Sequence, residues 1–251
     1  MGRTWRAYHP GLPAERGATL ALSAEEAHHI RRVLRLGVGD PVRVFDGAGA
    51  EWTGVIERAS PAEVVLRLVE PLGQPVDPAL PIELFQGWCR PERTDWIVQK
   101  ATEIGVASIR LFRAERSDAA RPSATRLERW QRIAVEACKQ SGRRRVPAVE
   151  VIDELPAAGS DVLGLLPDPE PGRPALAELL AAGRPGPVAL AIGPEGGFSA
   201  AELALAVERG WRAVSLGPRT LRAETAALVA AAIVLHQWCD LGRTRERPGA
   251  P

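Results

Sequence analysis

Two glycine-bearing loops near the C-terminus constrain this chain more than any other feature. The first is Gly193-Pro194-Glu195-Gly196-Gly197; the second, Leu216-Gly217-Pro218-Arg219-Thr220-Leu221-Arg222-Ala223-Glu224-Thr225-Ala226, follows after one helical pattern. Each loop is preceded by an apolar run, Val188 to Ile192 and Ala213 to Leu216, and each leads into a helix. A strand, a loop and a helix in succession, repeated, is the grammar of an α/β sheet. In such sheets ligands gather at the carboxyl ends of the strands, where glycine lets main-chain groups come close. The helix after the first loop has a well-marked start. Ser199 is its N-cap, Glu202 completes a capping box, and Phe198 with Leu203 forms a hydrophobic staple. Gly210 closes it as the C′ residue.

The same alternation extends back to Ile82. Ile82 to Gln86 and Ile109 to Phe112 read as strands, and Glu92 to Ile104 as a helix ended by Gly105. A longer helix is expected from Thr125 as N-cap, with Glu128 in the capping-box position. Val162 to Leu166 reads as another strand, Pro174 to Ala182 as a short helix, and the last helix runs from near Arg222 to about Asp240. Before Ile82 the pattern differs: Val42 to Phe45, Trp52 to Ile56 and Val64 to Val69 are short strands around the turn Asp46-Gly47-Ala48-Gly49. Closely spaced strands with glycine turns predict a small β-barrel, interrupted by one helix capped by Ser23 and Glu26. The expected organisation is therefore a β-barrel domain over 1–72, a linker over 73–80, an α/β domain over 81–245 and a flexible tail over 246–251.

Several functional classes are disfavoured. The chain has no G-x-G-x-x-G and no G-x-x-x-x-G-K-[ST], which removes the common dinucleotide and P-loop fingerprints. Cys89, Cys138 and Cys239 are scattered and no H-E-x-x-H occurs, so neither a metal site nor a disulfide framework is expected. The N-terminus lacks an apolar signal segment, and no run reaches membrane-spanning length. The expectation is a cytoplasmic protein bound to no membrane. Net charge is only +1, yet the arginines cluster, with Lys100 and Lys139 the only lysines. Arg3 and Arg6, then Arg31, Arg32 and Arg35, then Arg143, Arg144 and Arg145 form groups suited to RNA phosphates. Each arginine alone could equally belong to a solvated helix face, or for the last group complement a helix C-terminus.

The paired loops resemble the cofactor-binding knot of the SPOUT methyltransferases, specifically the RsmE family of 16S ribosomal RNA (uracil-N3)-methyltransferases. Further matches follow in order: His29 through Gly39, Gln99 through Val106, Glu115-Arg116-Ser117, and Glu136 through Arg143. The resemblance implies a PUA-like β-barrel that binds RNA, a trefoil-knotted parallel-sheet α/β domain, S-adenosyl-L-methionine as cofactor, a homodimer, and 16S ribosomal RNA of the small subunit as partner. It implies cofactor contacts from Leu166, Gly193, Pro194, Glu195, Gly196, Gly197, Leu216, Gly217, Leu221, Arg222, Thr225 and Ala226.

The uracil N3 of such a substrate is protonated at neutral pH, so its proton must be removed or its developing anion stabilised. Arg222, Glu224 and Arg116 are the catalytic candidates the resemblance suggests, with Glu103 behind them. Arg116 could instead hold a phosphate, and Glu224 could simply favour its helix N-terminus. Departures from the family pattern are Thr220 for Ile, Ala223 for Thr and Lys139 for an acidic residue. Alternative readings are an RNA-binding assembly factor without catalysis, or a SPOUT enzyme acting on transfer RNA or on ribose 2′-OH.

Overall fold

The computed structural model describes residues 5–60, 63–73, 76–181, 183, 186–238 and 241. The chain divides into two compact units. The first comprises Met1–Asp77 together with Cys138–Val146, and the second Pro78–Ala137 with Pro147–Pro251.

The first unit is built on a five-stranded sheet of β1 (Trp5–Tyr8), β2 (Thr19–Ala21), β3 (Pro41–Phe45), β4 (Glu51–Ala59) and β5 (Val64–Pro71), in the order β1-β3-β4-β5-β2. β1 runs parallel to β3 and the other pairs are antiparallel. Val42, Val44, Ile56, Leu66 and Leu68 alternate inward to make the core. The predicted turn after β3 is tied by Asp46, whose Oδ1 accepts the N–H groups of Ala48, Gly49 and Ala50 at 2.7, 2.9 and 3.0 Å. The predicted helix is α1 (Ala24–His28), continued by a π-helical turn over His29–Val33. Ser23 caps it, accepting the Glu26 N–H at 3.2 Å. The expected capping box is not formed, because the Glu26 carboxylate accepts from Lys139 at 2.8 Å. Ala27 and Ile30 cover the core, and Arg35 ends the segment at φ 58°.

Residues 138–146 belong to this unit through ion pairs. Glu51 is 4% exposed and accepts from both Arg6 and Arg144 at 2.7 Å, while Arg143 pairs with Asp77 at 2.9 Å. Arg6 also donates to the carbonyl oxygens of Cys138 and Arg143. The basic run read as a phosphate-binding group is thus largely internal. A sequence reading that follows chain order cannot anticipate a segment that packs back onto a domain already passed.

The second unit contains a six-stranded, wholly parallel sheet. Its strands are β6 (Ile82–Gly87), β7 (Ser108–Phe112), β8 (Ala148–Val151), β9 (Leu163–Pro167), β10 (Val188–Ile192) and β11 (Arg212–Val214), in the order β11-β9-β10-β6-β7-β8. Central β10 is buried along its whole length, as expected of a parallel strand covered on both faces. The helices are α2 (Pro91–Ile104), α3 (Ala124–Ser141), α4 (Leu176–Ala181), α5 (Ala200–Glu208) and α6 (Ala223–Trp238). α2 starts with Pro91 at its first position and stops at Gly105, whose φ of 114° is open to glycine and strained for other residues. α3 begins one residue before the predicted cap. Ser123 caps it in place of Thr125, accepting the Arg126 N–H at 3.4 Å. α5 carries the predicted capping box in full, and Gly210 follows it at φ 90°.

The strand order reverses at β6. From there β7 and β8 progress in one direction, whereas β10 and β9 lie on the opposite side. The carboxyl ends of β6 and β10 are therefore neighbours whose chains leave toward different helices, a switch point of the kind at which α/β sheets bind ligands.

Candidate functional site

Both glycine loops emerge at that end of the sheet and line one cavity of ≈ 280 Å³. The first loop contributes Gly193 to Gly197, and the second Leu216, Gly217 and Arg219 to Ala223, with Ala226 from α6. Pro167, which ends β9, and Asp168 and Pro169 beyond it form a third wall. Leu166 does not reach it. Its side chain is fully buried among Phe85, Ala189 and Trp211, so this wall belongs to the next three residues. Thr225 also lies off the lining, half-buried on the first turns of α6.

Glycine is required here for two distinct reasons. A Cβ on Gly193 would approach the Gly197 backbone at 3.1 Å, and one on Gly196 would lie 2.9 Å from the Arg116 Cβ and 3.1 Å from its carbonyl oxygen. Gly197 has nothing within 4 Å of such a Cβ, but its φ is +70°. The loop closes on itself through the Gly197 N–H, which donates to the Pro194 carbonyl at 2.9 Å. Beneath it, Gly87 of β6 lies so near that a Cβ there would meet the Pro194 nitrogen at 2.7 Å. Gln86, fully buried, donates through Nε2 to the Gly193 carbonyl at 3.1 Å. The floor is apolar, from Ile192, Leu216 and Leu221, and the polar groups available are mostly main-chain.

One residue missed in the sequence joins the walls. Arg93, in the first turns of α2, pairs with Glu195 of the first loop at 3.5 Å and with Glu224 at the start of α6 at 3.4 Å. It therefore ties both loops to a third element and also lines the cavity. A basic residue in a helix's opening turns carries no local sign of partners 102 and 131 positions away. Burial pushes the Glu195 carboxyl upward. The Arg90 N–H at 3.1 Å, its own backbone N–H, the Cys89 thiol and the Arg93 guanidinium outweigh that and hold it below its ordinary value. The Cys89 thiol is driven strongly upward, first by burial and then by the charge of Glu195, and so stays protonated.

The catalytic candidates divide. Arg222 lines the cavity, is exposed, and has no side-chain partner among the described residues. Glu224 is engaged by Arg93. Arg116 stands outside the lining, donating to the Gly196 carbonyl at 3.3 Å and so bracing the first loop from behind. Glu103 is not at the site: it pairs with Lys100 at 2.8 Å on the far part of α2, roughly 15 Å along the helix from Arg93 at 1.5 Å per residue.

Of the expected RNA contacts, Arg6, Arg143 and Arg144 are buried in the first unit's ion pairs, which leaves their guanidinium groups engaged internally. Arg32, Arg35 and Arg145 are exposed and Arg31 is half-buried. Arg3 lies outside the described residues. No helix among the described residues is long and apolar enough to cross a membrane, and they contain no cluster of three metal-ligating side chains.

Residues 76–235 match the model of an RNA methyltransferase domain, and residues 22–69 that of an RNA methyltransferase PUA domain. The chain is 35% identical over 223 residues to the ribosomal RNA small subunit methyltransferase E of Synechocystis sp., covering 86% of this chain and 72% of that one. Its fold superposes on the crystal structure of a ribosomal RNA small subunit methyltransferase E from Neisseria gonorrhoeae bound to S-adenosyl methionine. The TM-score there is 0.86 at 30% identity, with 94% of this chain and 99% of the other covered. A Legionella pneumophila protein in complex with the bound cofactor SAM gives the same TM-score at 33% identity, over 96% and 100% of the two chains.

Proposed function

The chain belongs to the RNA methyltransferase family, among the ribosomal RNA small subunit methyltransferase E proteins, and on that premise we propose that it methylates N3 of a specific uridine in 16S ribosomal RNA. The observation that carries this reading is the single cavity shared by both glycine loops, with an unpaired arginine at its edge.

The residues fit S-adenosyl-L-methionine. An adenosine has apolar faces and hydrogen-bonding edges, which suit the apolar floor and the main-chain groups of Gly193, Gly196, Gly197 and Gly217. The cofactor, when bound, supplies an electrophilic methyl group. Everything else falls to the protein. Arg222 stabilises the negative charge that develops on the uracil as N3 loses its proton, and its fixed positive charge needs no titration to do so. Glu224, in the same loop-to-helix turn, takes that proton directly or through water, with Arg93 fixing its direction. Arg116 acts through Gly196 as a positioning residue.

The first unit contributes RNA contacts from Arg31, Arg32, Arg35 and Arg145. The protein works as a homodimer in the cytoplasm, where small-subunit RNA is found. The half-buried Leu228, Val229 and Ile233 of α6 support pairing of this kind. Mapping methylated nucleotides in 16S RNA by mass spectrometry, in a deletion strain with and without complementation, tests the assignment. A deletion strain that retains its N3-methyluridine overturns it.

A further inference from the structure

A second cavity, of ≈ 460 Å³, opens beside the first at the carboxyl ends of β6 and β7. Its walls include Trp88, Arg113, Ser117, Arg121 and Asp153. Two consecutive residues connect the cavities indirectly. Arg116 braces Gly196 of the first loop, and Ser117, next in sequence, lines the second cavity. Ser117 is fixed in a tight turn, its N–H donating to the Ala114 carbonyl at 3.1 Å and its Oγ accepting the Ala114 N–H at 3.2 Å.

The lining is chemically directed toward an anion. Arg113 is exposed and has no acidic partner among the described residues. Arg121 pairs with Asp153 at 3.2 Å, but the two side chains are 65% and 87% exposed, so the pair is weakly held and its guanidinium can be redirected. Trp88 is 6% exposed, and its indole N–H has no acceptor among the described residues. Two guanidinium groups against one carboxylate leave an excess of positive charge, presented in planar forks that match phosphate oxygens. The volume exceeds that of a free phosphate and suits a nucleotide unit.

We propose that this cavity is a subsite for the phosphodiester of single-stranded RNA next to the nucleotide being methylated, held by Arg113 and Arg121. The subsite rests on the proposed RNA methyltransferase function and adds to it a second anchor point for the strand. Phosphate contacts of this type fix register rather than sequence. Their role is to hold the strand while the target base enters the neighbouring cleft. The Trp88 N–H supplies a hydrogen bond to an oxygen of the same nucleotide once Arg121 turns away from Asp153.

The test uses the full chain carrying Arg113→Ala and Arg121→Ala together. Binding of a labelled single-stranded oligoribonucleotide from small-subunit RNA is followed by anisotropy across a salt series, and S-adenosylmethionine binding by calorimetry. The double variant is expected to bind RNA about tenfold more weakly, with the slope of log K against log salt shallower by about 0.7, for the one phosphate no longer neutralised. Cofactor affinity stays unchanged, which shows the fold is intact. Trp88→Phe weakens RNA binding at fixed salt without changing the slope. RNA affinity and slope equal to wild type, with cofactor binding preserved, overturn the subsite. A wild-type chain that binds cofactor but no RNA overturns the functional reading itself, a result distinct from the first.

Discussion

Adding one methyl group at Gly196 separates the two reasons for glycine in the first loop. In Gly196→Ala the new Cβ meets the Arg116 Cβ at 2.9 Å and its carbonyl oxygen at 3.1 Å. Neither atom is the end of a flexible side chain, so the loop itself must move. Overpacking of this kind costs about 1–3 kcal/mol. If the displacement is recovered only in the unbound state, cofactor affinity falls by about 5- to 150-fold, at 1.4 kcal/mol per decade. Gly197→Asn is the control. There the space is open and the only obstacle is φ of +70°, a region that asparagine enters more readily than other residues. It should keep a thermal midpoint close to that of wild type, unlike Gly196→Ala, because no protein atom is displaced. Calorimetric Kd values with thermal melts of each variant decide the matter. Arg116→Ala added to Gly196→Ala keeps both clashing atoms and must not rescue binding. Rescue, or a Gly196→Ala variant with wild-type affinity, refutes the packing argument.

Other perturbations test the remaining parts of the site and frame. Arg222→Ala is expected to abolish turnover while RNA affinity stays nearly intact; an unchanged single-turnover rate contradicts its assignment. Glu51→Ala leaves Arg6 and Arg144 buried without their shared carboxylate, a type of loss that costs about 3–5 kcal/mol. Urea denaturation that registers less than about 1 kcal/mol removes the case for this clamp. Glu195 has a depressed folded-state pKa, so its contribution to stability is present above the ordinary carboxylate range and is lost as pH falls through the folded value. Wild type should therefore lose more stability than Glu195→Gln between neutral pH and about pH 3 by denaturation midpoints. Parallel losses argue against that coupling.

How far the sequence disclosed the molecule depends on the range of the interactions involved. Local signals were reliable: Val188 to Ile192 is β10 to the residue, Ser199 with Glu202 forms the capping box, and Gly105 and Gly210 end their helices. The union of the two loops in one cavity was also legible, because consecutive strand-loop-helix units of a parallel sheet must present their loops at the same edge. Long-range features were not. Arg93 reveals its role only when Glu195 and Glu224 are brought to it. Arg143 and Arg144 look like a solvated basic run until Asp77 and Glu51 are placed against them. The strands Trp5–Tyr8, Thr19–Ala21 and Ala148–Val151 are short and weakly patterned, and pairing with longer neighbours secures them. At Leu166 the local pattern carries no sign of direction: its side chain enters the core, whereas Pro167 to Pro169 line the cavity.

The buried partners of Glu51 and Asp77 have a bearing on how the chain is made. During synthesis the ribosome delivers residues 1–77 well before Arg143 and Arg144 exist outside the exit tunnel. Until then Glu51 has only Arg6 of its two arginine partners, and Asp77 lacks Arg143. Completion of the amino-terminal unit must await the nascent chain's arrival at about residue 146, by which stage the first three parallel strands of the following unit are only partly available. A gene fragment cut at the apparent boundary after Asp77 would accordingly yield a poorly folded product. One that reaches past Val146 would supply the missing arginines.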